Sequence, residues 1–297
     1  MRKVFAKIVI SQCNQENYFF LTGDVGFMAL EEVRTAFGNR FINTGVAEQN
    51  MIGVAAGLAR DGFKVFVYSI APFCYARPFE QIRNDICLAN LPVCLVGNGG
   101  GYAYGCMGPT HHALEDCAVM NALGVRILVP AFDKDIPAML TELTSPTYLR
   151  LGYDAHPTGV IIPLYAPWRQ ILYGERGAIA ALGPLAGVVW QALLDVSISD
   201  RPSVWAVTEF NNNAIPKEFW KQIVAKELFV IEEHVAAGGL GMHLALSIAY
   251  AGIRISGFIH RYAIGYPTGR FGSQEFHRAE CGLDVDGIRS MVLGRKR

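Results

Sequence analysis

The chain has 297 residues, room for about two domains of roughly 150 residues each. Its 26 lysines and arginines balance 26 aspartates and glutamates, which excludes a nucleic-acid binder held mainly by phosphate neutralisation. Only 18% of residues are charged and 52% are hydrophobic, against roughly 25% charged in an ordinary soluble domain, so the chain is expected to fold and to bury apolar surface against another subunit.

The N-terminal segment carries Arg2, Lys3 and Lys7, and its apolar stretch stops at Ser11-Gln12-Cys13-Asn14, too short for a secretory signal. No apolar run reaches the length of a membrane span. The seven cysteines (Cys13, Cys74, Cys87, Cys94, Cys106, Cys117, Cys281) contain no CxxC pair. They are expected to be reduced, buried thiols of a cytoplasmic protein, neither a disulfide frame nor a zinc site. Short apolar runs then alternate with amphipathic stretches. Strands are predicted at 18–21, 65–68, 93–96, 126–129 and 148–151, with helices at 47–60, 78–89, 113–123 and 134–143 between them. Such alternation predicts an α/β fold, a doubly wound, mostly parallel sheet with helices on both faces. Sites in such a sheet lie at the carboxyl ends of the strands. Prolines 157, 163 and 167 then break the rhythm, predicting a linker at 156–175 between a first domain at 1–155 and a second α/β domain at 176–297. In the second domain, strands are predicted at 178–182, 204–207, 228–231 and 255–259, and helices at 186–194 and 240–251. The chain shows no internal repeat and no low-complexity tract.

The segment Phe41-Ile42-Asn43-Thr44-Gly45-Val46-Ala47-Glu48-Gln49-Asn50-Met51 runs from an extended piece into a helix, with Glu48 in its first turn. A carboxylate there favours the helix dipole, so capping alone would account for it. The wider pattern gives it a second reading. Gly45-Val46-Ala47-Glu48-Gln49-Asn50-Met51 and the small-residue helix after it resemble the pyrimidine-binding domain of transketolases. The resemblance continues through Tyr68-Ser69, Arg77-Pro78-Phe79-Glu80-Gln81 and Gly108-Pro109-Thr110-His111-His112. It reaches the second half at Ile231-Glu232-Glu233-His234 and Gly238-Gly239-Leu240-Gly241. It covers nearly the whole chain and corresponds to the C-terminal half of a transketolase, with a pyrimidine-binding domain and a C-terminal domain.

That resemblance implies thiamine diphosphate as cofactor, with Glu48 on a ring nitrogen of its aminopyrimidine. A carboxyl can share a proton with that ring, which a glutamine could not do in the same way. It implies a stacking platform at Phe73, for which a plain core phenylalanine is the alternative. It thins that wall at Ile70, where transketolases often carry a further aromatic. It makes His111 the active-site histidine, placed to donate to a developing oxygen charge or to move a proton on the donor sugar. His112 stands where glutamine is usual. Met107 replaces an acidic residue, and Tyr153 falls near the position of a phosphate-binding arginine, with Arg150 three residues earlier. The missing clamp argues against a standard pentose-phosphate substrate, although Arg77 or a partner residue could compensate. The loop Gly97–Gly105 lacks a nucleotide motif and is expected to admit substrate to the backbone. Gly238–Gly241 is expected to pack the second domain, without a cofactor role.

Thiamine diphosphate enzymes anchor the diphosphate through a metal held by Gly-Asp-Gly followed about thirty residues later by asparagine. Here only Gly23-Asp24-Val25-Gly26 and Asp61-Gly62 come near, so no metal is expected on this chain. An N-terminal transketolase subunit is expected to bring the diphosphate site and its Mg²⁺ or Ca²⁺, in an α2β2 heterotetramer. The activity implied is transfer of a two-carbon ketol unit from a ketose donor to an aldose acceptor by thiamine diphosphate ylide chemistry. One alternative is a 2-oxo acid decarboxylating subunit, like 1-deoxyxylulose-5-phosphate synthase or pyruvate dehydrogenase β. The other is a non-catalytic scaffold.

Overall fold

The computed structural model of the chain describes residues 1–12, 17–26, 28–210 and 215–294. The first half is built from α1 (Arg2–Gln12), β1 (Tyr18–Thr22), α2 (Glu31–Phe37), β2 (Phe41–Asn43), α3 (Glu48–Arg60), β3 (Lys64–Ile70), α4 (Ala71–Tyr75), α5 (Phe79–Gln81), β4 (Val93–Asn98), α6 (Asp116–Ala122), β5 (Arg126–Leu128), α7 (Ile136–Met139) and β6 (Thr147–Leu151). The strands form one six-stranded sheet in the order β2-β1-β3-β4-β6-β5. Every pairing in it is parallel. Alternation along each strand sends side chains to opposite faces. Leu21, Val65, Val67, Val93 and Leu95 pack on Met51, Ile52 and Ala55 of α3. Phe20, Phe66, Tyr68, Cys94 and Val96 face α1, α2 and α7.

The second half contains β7 (Trp168–Leu172), β8 (Ala178–Leu182), α8 (Leu185–Leu193), β9 (Ser203–Val207), α9 (Lys217–Ile223), β10 (Glu227–Ile231), α10 (Leu240–Ala251), β11 (Gly257–Arg261), α11 (Gln274–Cys281) and α12 (Val285–Leu293). Its sheet has the order β11-β10-β8-β9-β7, parallel except that β7 runs antiparallel to β9. The stretch 156–175 is thus not all linker. Its prolines stop short of β7, whose Trp168, Arg169 and Ile171 are buried. One cluster of buried apolar side chains joins the inner face of the first sheet to Ala178, Ala180, Trp205, Leu228 and Val230 of the second, so the two sheets share a core.

Three other expectations shift. The predicted helix at 78–89 divides into α5 and a π-helical turn, Ile82–Cys87. Helix 134–143 shortens to a 3₁₀ turn and α7, because Pro137 sits at the helix start. The strand expected at 255–259 pairs as β11, two residues later. Cys74, Cys94, Cys117 and Cys281 are buried, Cys87 is half-buried and Cys106 is exposed, while Cys13 lies outside the described residues. Burial pushes the Cys74, Cys94 and Cys117 thiols up, the state of inert packing residues. Among the described residues no helix is long and apolar enough to cross a membrane.

Candidate active site

Strand β1 leads through α2 outward to β2, whereas β3 leads the other way to β4. Neighbouring strands with diverging connections open a crevice at their carboxyl ends, and ligands of open α/β sheets bind there. The loops after β2, β3 and β4 deliver Glu48, Phe73 and His111 to this edge.

The turn into α3 is fixed by Asn43. Its Oδ1 accepts from the backbone N–H groups of Asp24 and Gly45, each at 3.0 Å, and its Nδ2 donates to Asp24 Oδ1 at 2.9 Å. Gly45 takes a left-handed φ of 72° there, open to glycine at no steric cost. Glu48 begins α3 and its side chain is 4% exposed. Its Oε1 accepts a hydrogen bond from Arg77 Nη1 at 2.8 Å, so the carboxylate does more than face the helix dipole.

Phe73 lies in α4, which starts directly at the end of β3 with Pro72 in its first turn. The half-buried ring carries the Arg77 guanidinium 3.8 Å above its centroid. The His111 ring meets it edge-on, 5.1 Å away at 69°. His111 closes the 3₁₀ turn Pro109–His111, with Thr110 Oγ1 2.9 Å from its Nδ1 and the Tyr104 ring 6.1 Å off. Glu48, Phe73 and His111 are therefore brought together, linked through Arg77, whose sequence position suggests only a compensating cation for substrate. Ile70 sits half-buried at the end of β3.

His112 points away from this group. Its Nε2 donates to Gly105 O at 2.9 Å and its Nδ1 accepts from the Tyr266 hydroxyl at 2.8 Å, a neutral ring between the two halves. Burial holds its pKa below the usual histidine value. Met107 and Tyr153 are 56% and 62% exposed, free to face an incoming molecule. Arg150 is not. It is buried, donating from Nε to Asp116 Oδ2 at 2.8 Å and from Nη2 to the carbonyls of Ala113 and Glu233.

A cation that the sequence pattern does not single out for the site is Arg2. Met1 Sδ accepts from Gly152 N at 3.4 Å, and Phe5 stacks on Tyr68 at 6.1 Å, so the start of α1 stands at the carboxyl edge beside Tyr153. Burial pushes the Tyr68 and Tyr104 phenols up, and the Arg2 charge opposes this at both. The signal available in the sequence is the spacing of Phe5 and Val9, one helical turn apart, which marks an amphipathic helix at the very start of the chain.

The glycine loop after β4 serves a different end from the one expected. A Cβ on Gly100 would come within 2.5 Å of Arg150, and one on Gly101 within 2.7 Å of Glu233. At these two glycines the chain's own side chains approach the backbone closely. Glu233 accepts from Tyr102 N, Gln274 and Arg278, and so fixes this loop to α11. Glu232 caps α10 through Leu240 N and Gly241 N and accepts from His260, which closes the Gly238–Gly241 turn to any phosphate. Asp116, Cys117 and His234 are buried with ligand atoms within 4.8 Å of one another. Two of these groups are committed to the fold: Asp116 Oδ2 accepts from Arg150 and the Tyr148 hydroxyl, and His234 Nε2 accepts from Ala118 N, while Asp116 Oδ1 is buried with no hydrogen-bond partner among the described residues.

The family model described as "Transketolase, pyrimidine binding domain" matches residues 1–154. The chain is 34% identical to one subunit of the apulose-4-phosphate transketolase of Phocaeicola vulgatus, covering 98% of this chain and 96% of that protein. It is 31% identical to the 1-deoxy-D-xylulose-5-phosphate synthase of Thioalkalivibrio sulfidiphilus, over 90% of this chain but 42% of the synthase. Among solved structures, a split-gene transketolase in an inactive β4 tetramer superposes with a TM-score of 0.79 at 26% identity, covering 100% of this chain and 98% of that one.

Proposed function

Because this chain belongs to the transketolase family, we propose that it is the C-terminal subunit of a split transketolase that moves a two-carbon ketol unit between sugars. The observation that carries this is the buried Glu48 carboxylate set beside the Phe73 face at the crevice between β1 and β3. The aminopyrimidine of thiamine diphosphate fits these residues. It asks for a carboxyl at a ring nitrogen and a flat apolar face, and the Arg77 guanidinium, itself a planar N–C–N fork, lies on Phe73 and donates to Glu48 as a stand-in.

When bound, the cofactor supplies a thiazolium carbon that adds to a ketone and then stabilises the charge left on cleavage. Glu48 shares a proton with the ring nitrogen. Phe73 stacks against the heterocycle. His111, open to the crevice, donates to the oxygen on which charge develops. Tyr153, Met107, Tyr104 and Arg2 form the wall facing the far end of the sugar, with Arg2 as the cation for an acidic group there.

The diphosphate and its Mg²⁺ or Ca²⁺ have no Gly-Asp-Gly anchor in this sequence, so an N-terminal partner subunit holds them, in an α2β2 assembly. Exposed Met28, in the loop between β1 and α2, and Val46, in the turn before Glu48, give such a partner apolar side chains to cover. Unlinked, mostly buried thiols suit a cytoplasmic setting. The likeness to 1-deoxy-D-xylulose-5-phosphate synthase favours one second reading, a 2-oxo acid decarboxylating subunit. The chain reconstituted with its partner decides between them. Turnover of hydroxypyruvate with an aldose acceptor is expected, and turnover of pyruvate alone refutes ketol transfer. Undiminished turnover by Glu48→Ala would instead make the chain a scaffold.

A further inference from the structure

We infer that Arg77 is a resident occupant of the aminopyrimidine subsite: in the free subunit it plugs the pocket, and the cofactor must displace it. The inference rests on the reading that Glu48 and Phe73 receive that ring, and goes beyond it by assigning Arg77 a state-dependent position.

Glu48 is a buried carboxylate, and a subunit made apart from its diphosphate-binding partner must keep it stable without cofactor. Breaking a buried ion pair by removing one member leaves an uncompensated charge, which is strongly unfavourable. Arg77 supplies the missing counter-charge from Nη1 at 2.8 Å, and its guanidinium lies flat on the Phe73 ring at 3.8 Å. One planar cation thus occupies Oε1 of Glu48 and a face of Phe73, the two kinds of contact that the cofactor ring requires. Oε1 of Glu48 cannot serve Arg77 and a ring nitrogen along the same direction, and one face of Phe73 cannot stack two partners. The plug is built to leave. Arg77 is 45% exposed where Glu48 is 4% exposed, so it closes the solvent side of the pocket. It lies just beyond the last turn of α4, from which a flexible side chain can swing outward without opening a hole in the core.

The test needs neither partner nor turnover. The probe is 4-amino-5-hydroxymethyl-2-methylpyrimidine, the ring half of the cofactor, titrated into the full chain and followed by ligand-observed NMR. Arg77→Ala is expected to bind it about tenfold more tightly than the wild-type chain, the equivalent of an ion pair open to water on its arginine side and a cation–π contact no longer to be displaced. Arg77→Gln, which keeps the stem and removes the charge, is expected to fall between them and guards against a folding defect in the alanine variant. The gain must vanish when Phe73→Ala or Glu48→Ala is added. Equal or weaker binding by Arg77→Ala, still dependent on Phe73, overturns the plug and leaves the ring site standing, with Arg77 a contact or a bystander. Binding that ignores Phe73 and Glu48 in every variant overturns the ring site, and the plug with it.

Discussion

Replacing Arg150 with methionine tests whether this arginine is structural, as its burial requires, or a substrate clamp. Arg150 and Asp116 are 5% and 0% exposed and meet at 2.8 Å. Without the guanidinium, Asp116 keeps the Tyr148 hydroxyl as a hydrogen-bond donor but loses its counter-charge in a site closed to water. The carbonyls of Ala113 and Glu233 each lose a donor as well. Breaking a buried pair from one side costs about 3–5 kcal/mol, and methionine fills much of the volume, so the lower half of that range is expected. In urea, with an m-value of about 3 kcal/mol/M, the unfolding midpoint should fall by roughly 1 M. Tryptophan fluorescence reads it directly, since Trp168 and Trp205 lie in the shared core. The double variant Asp116→Asn/Arg150→Met should recover a substantial part of the loss, because no bare charge remains. A midpoint within about 0.3 M of wild type, or a double variant worse than the sum of its singles, would refute the argument.

Three further outcomes are expected. Glu48→Gln in the reconstituted pair should lower kcat by about 10²–10⁴-fold, the range of general acid–base catalysis, with circular dichroism unchanged; activity within threefold of wild type contradicts the proton-sharing role. Arg2→Ala should raise KM for a phosphorylated donor about tenfold or more, the worth of a charge-assisted hydrogen bond, and leave an uncharged donor unaffected; equal effects on both would remove Arg2 from the substrate wall. His112, whose pKa burial depresses below the ordinary 6.5, stays neutral when folded, whereas the unfolded chain binds a proton below about 6.5. Stability should therefore be constant above that pH and fall as pH drops through it towards the folded value. The urea midpoint measured at pH 7.5 and 5.5 should fall more in wild type than in His112→Gln, and an equal fall in both denies His112 a part in it.

What can be read from the sequence follows from how local each signal is. Glu48, His111 and the strands flanking them stand out because apolar strand runs and the Gly-Val-Ala-Glu-Gln-Asn-Met stretch carry their meaning within a dozen residues. Strand β7 is hidden because three prolines within eleven residues look like irregular chain, and Trp168 follows immediately after the last of them. Helix α1 is hidden behind Arg2, Lys3 and Lys7, although Phe5 and Val9 bury its inner face. Arg77 and Arg150 show the limit more sharply. Both are arginines near strand ends, yet one is half-exposed over Phe73 and the other is locked on Asp116. Only the register of β6 beside β4, which sets Arg150 against Gly97 and beneath the glycine loop, separates them.

The adjacent carboxylates Glu232 and Glu233 make the same point about function. Two acids side by side at the carboxyl end of β10 invite assignment as an acid–base pair, and two sheets invite two sites. Each carboxylate is consumed where it stands, Glu232 by the first amides of α10 and by His260, Glu233 by Tyr102 N, Gln274 and Arg278. Through Tyr102 the second half of the chain therefore holds the glycine loop, and through Tyr266 and His112 it holds Gly105, six residues before His111. In the proposed reaction, the second half of the chain acts by fixing the loop that aims that histidine at the crevice. On that proposal its carboxylates contribute only by keeping the loop still.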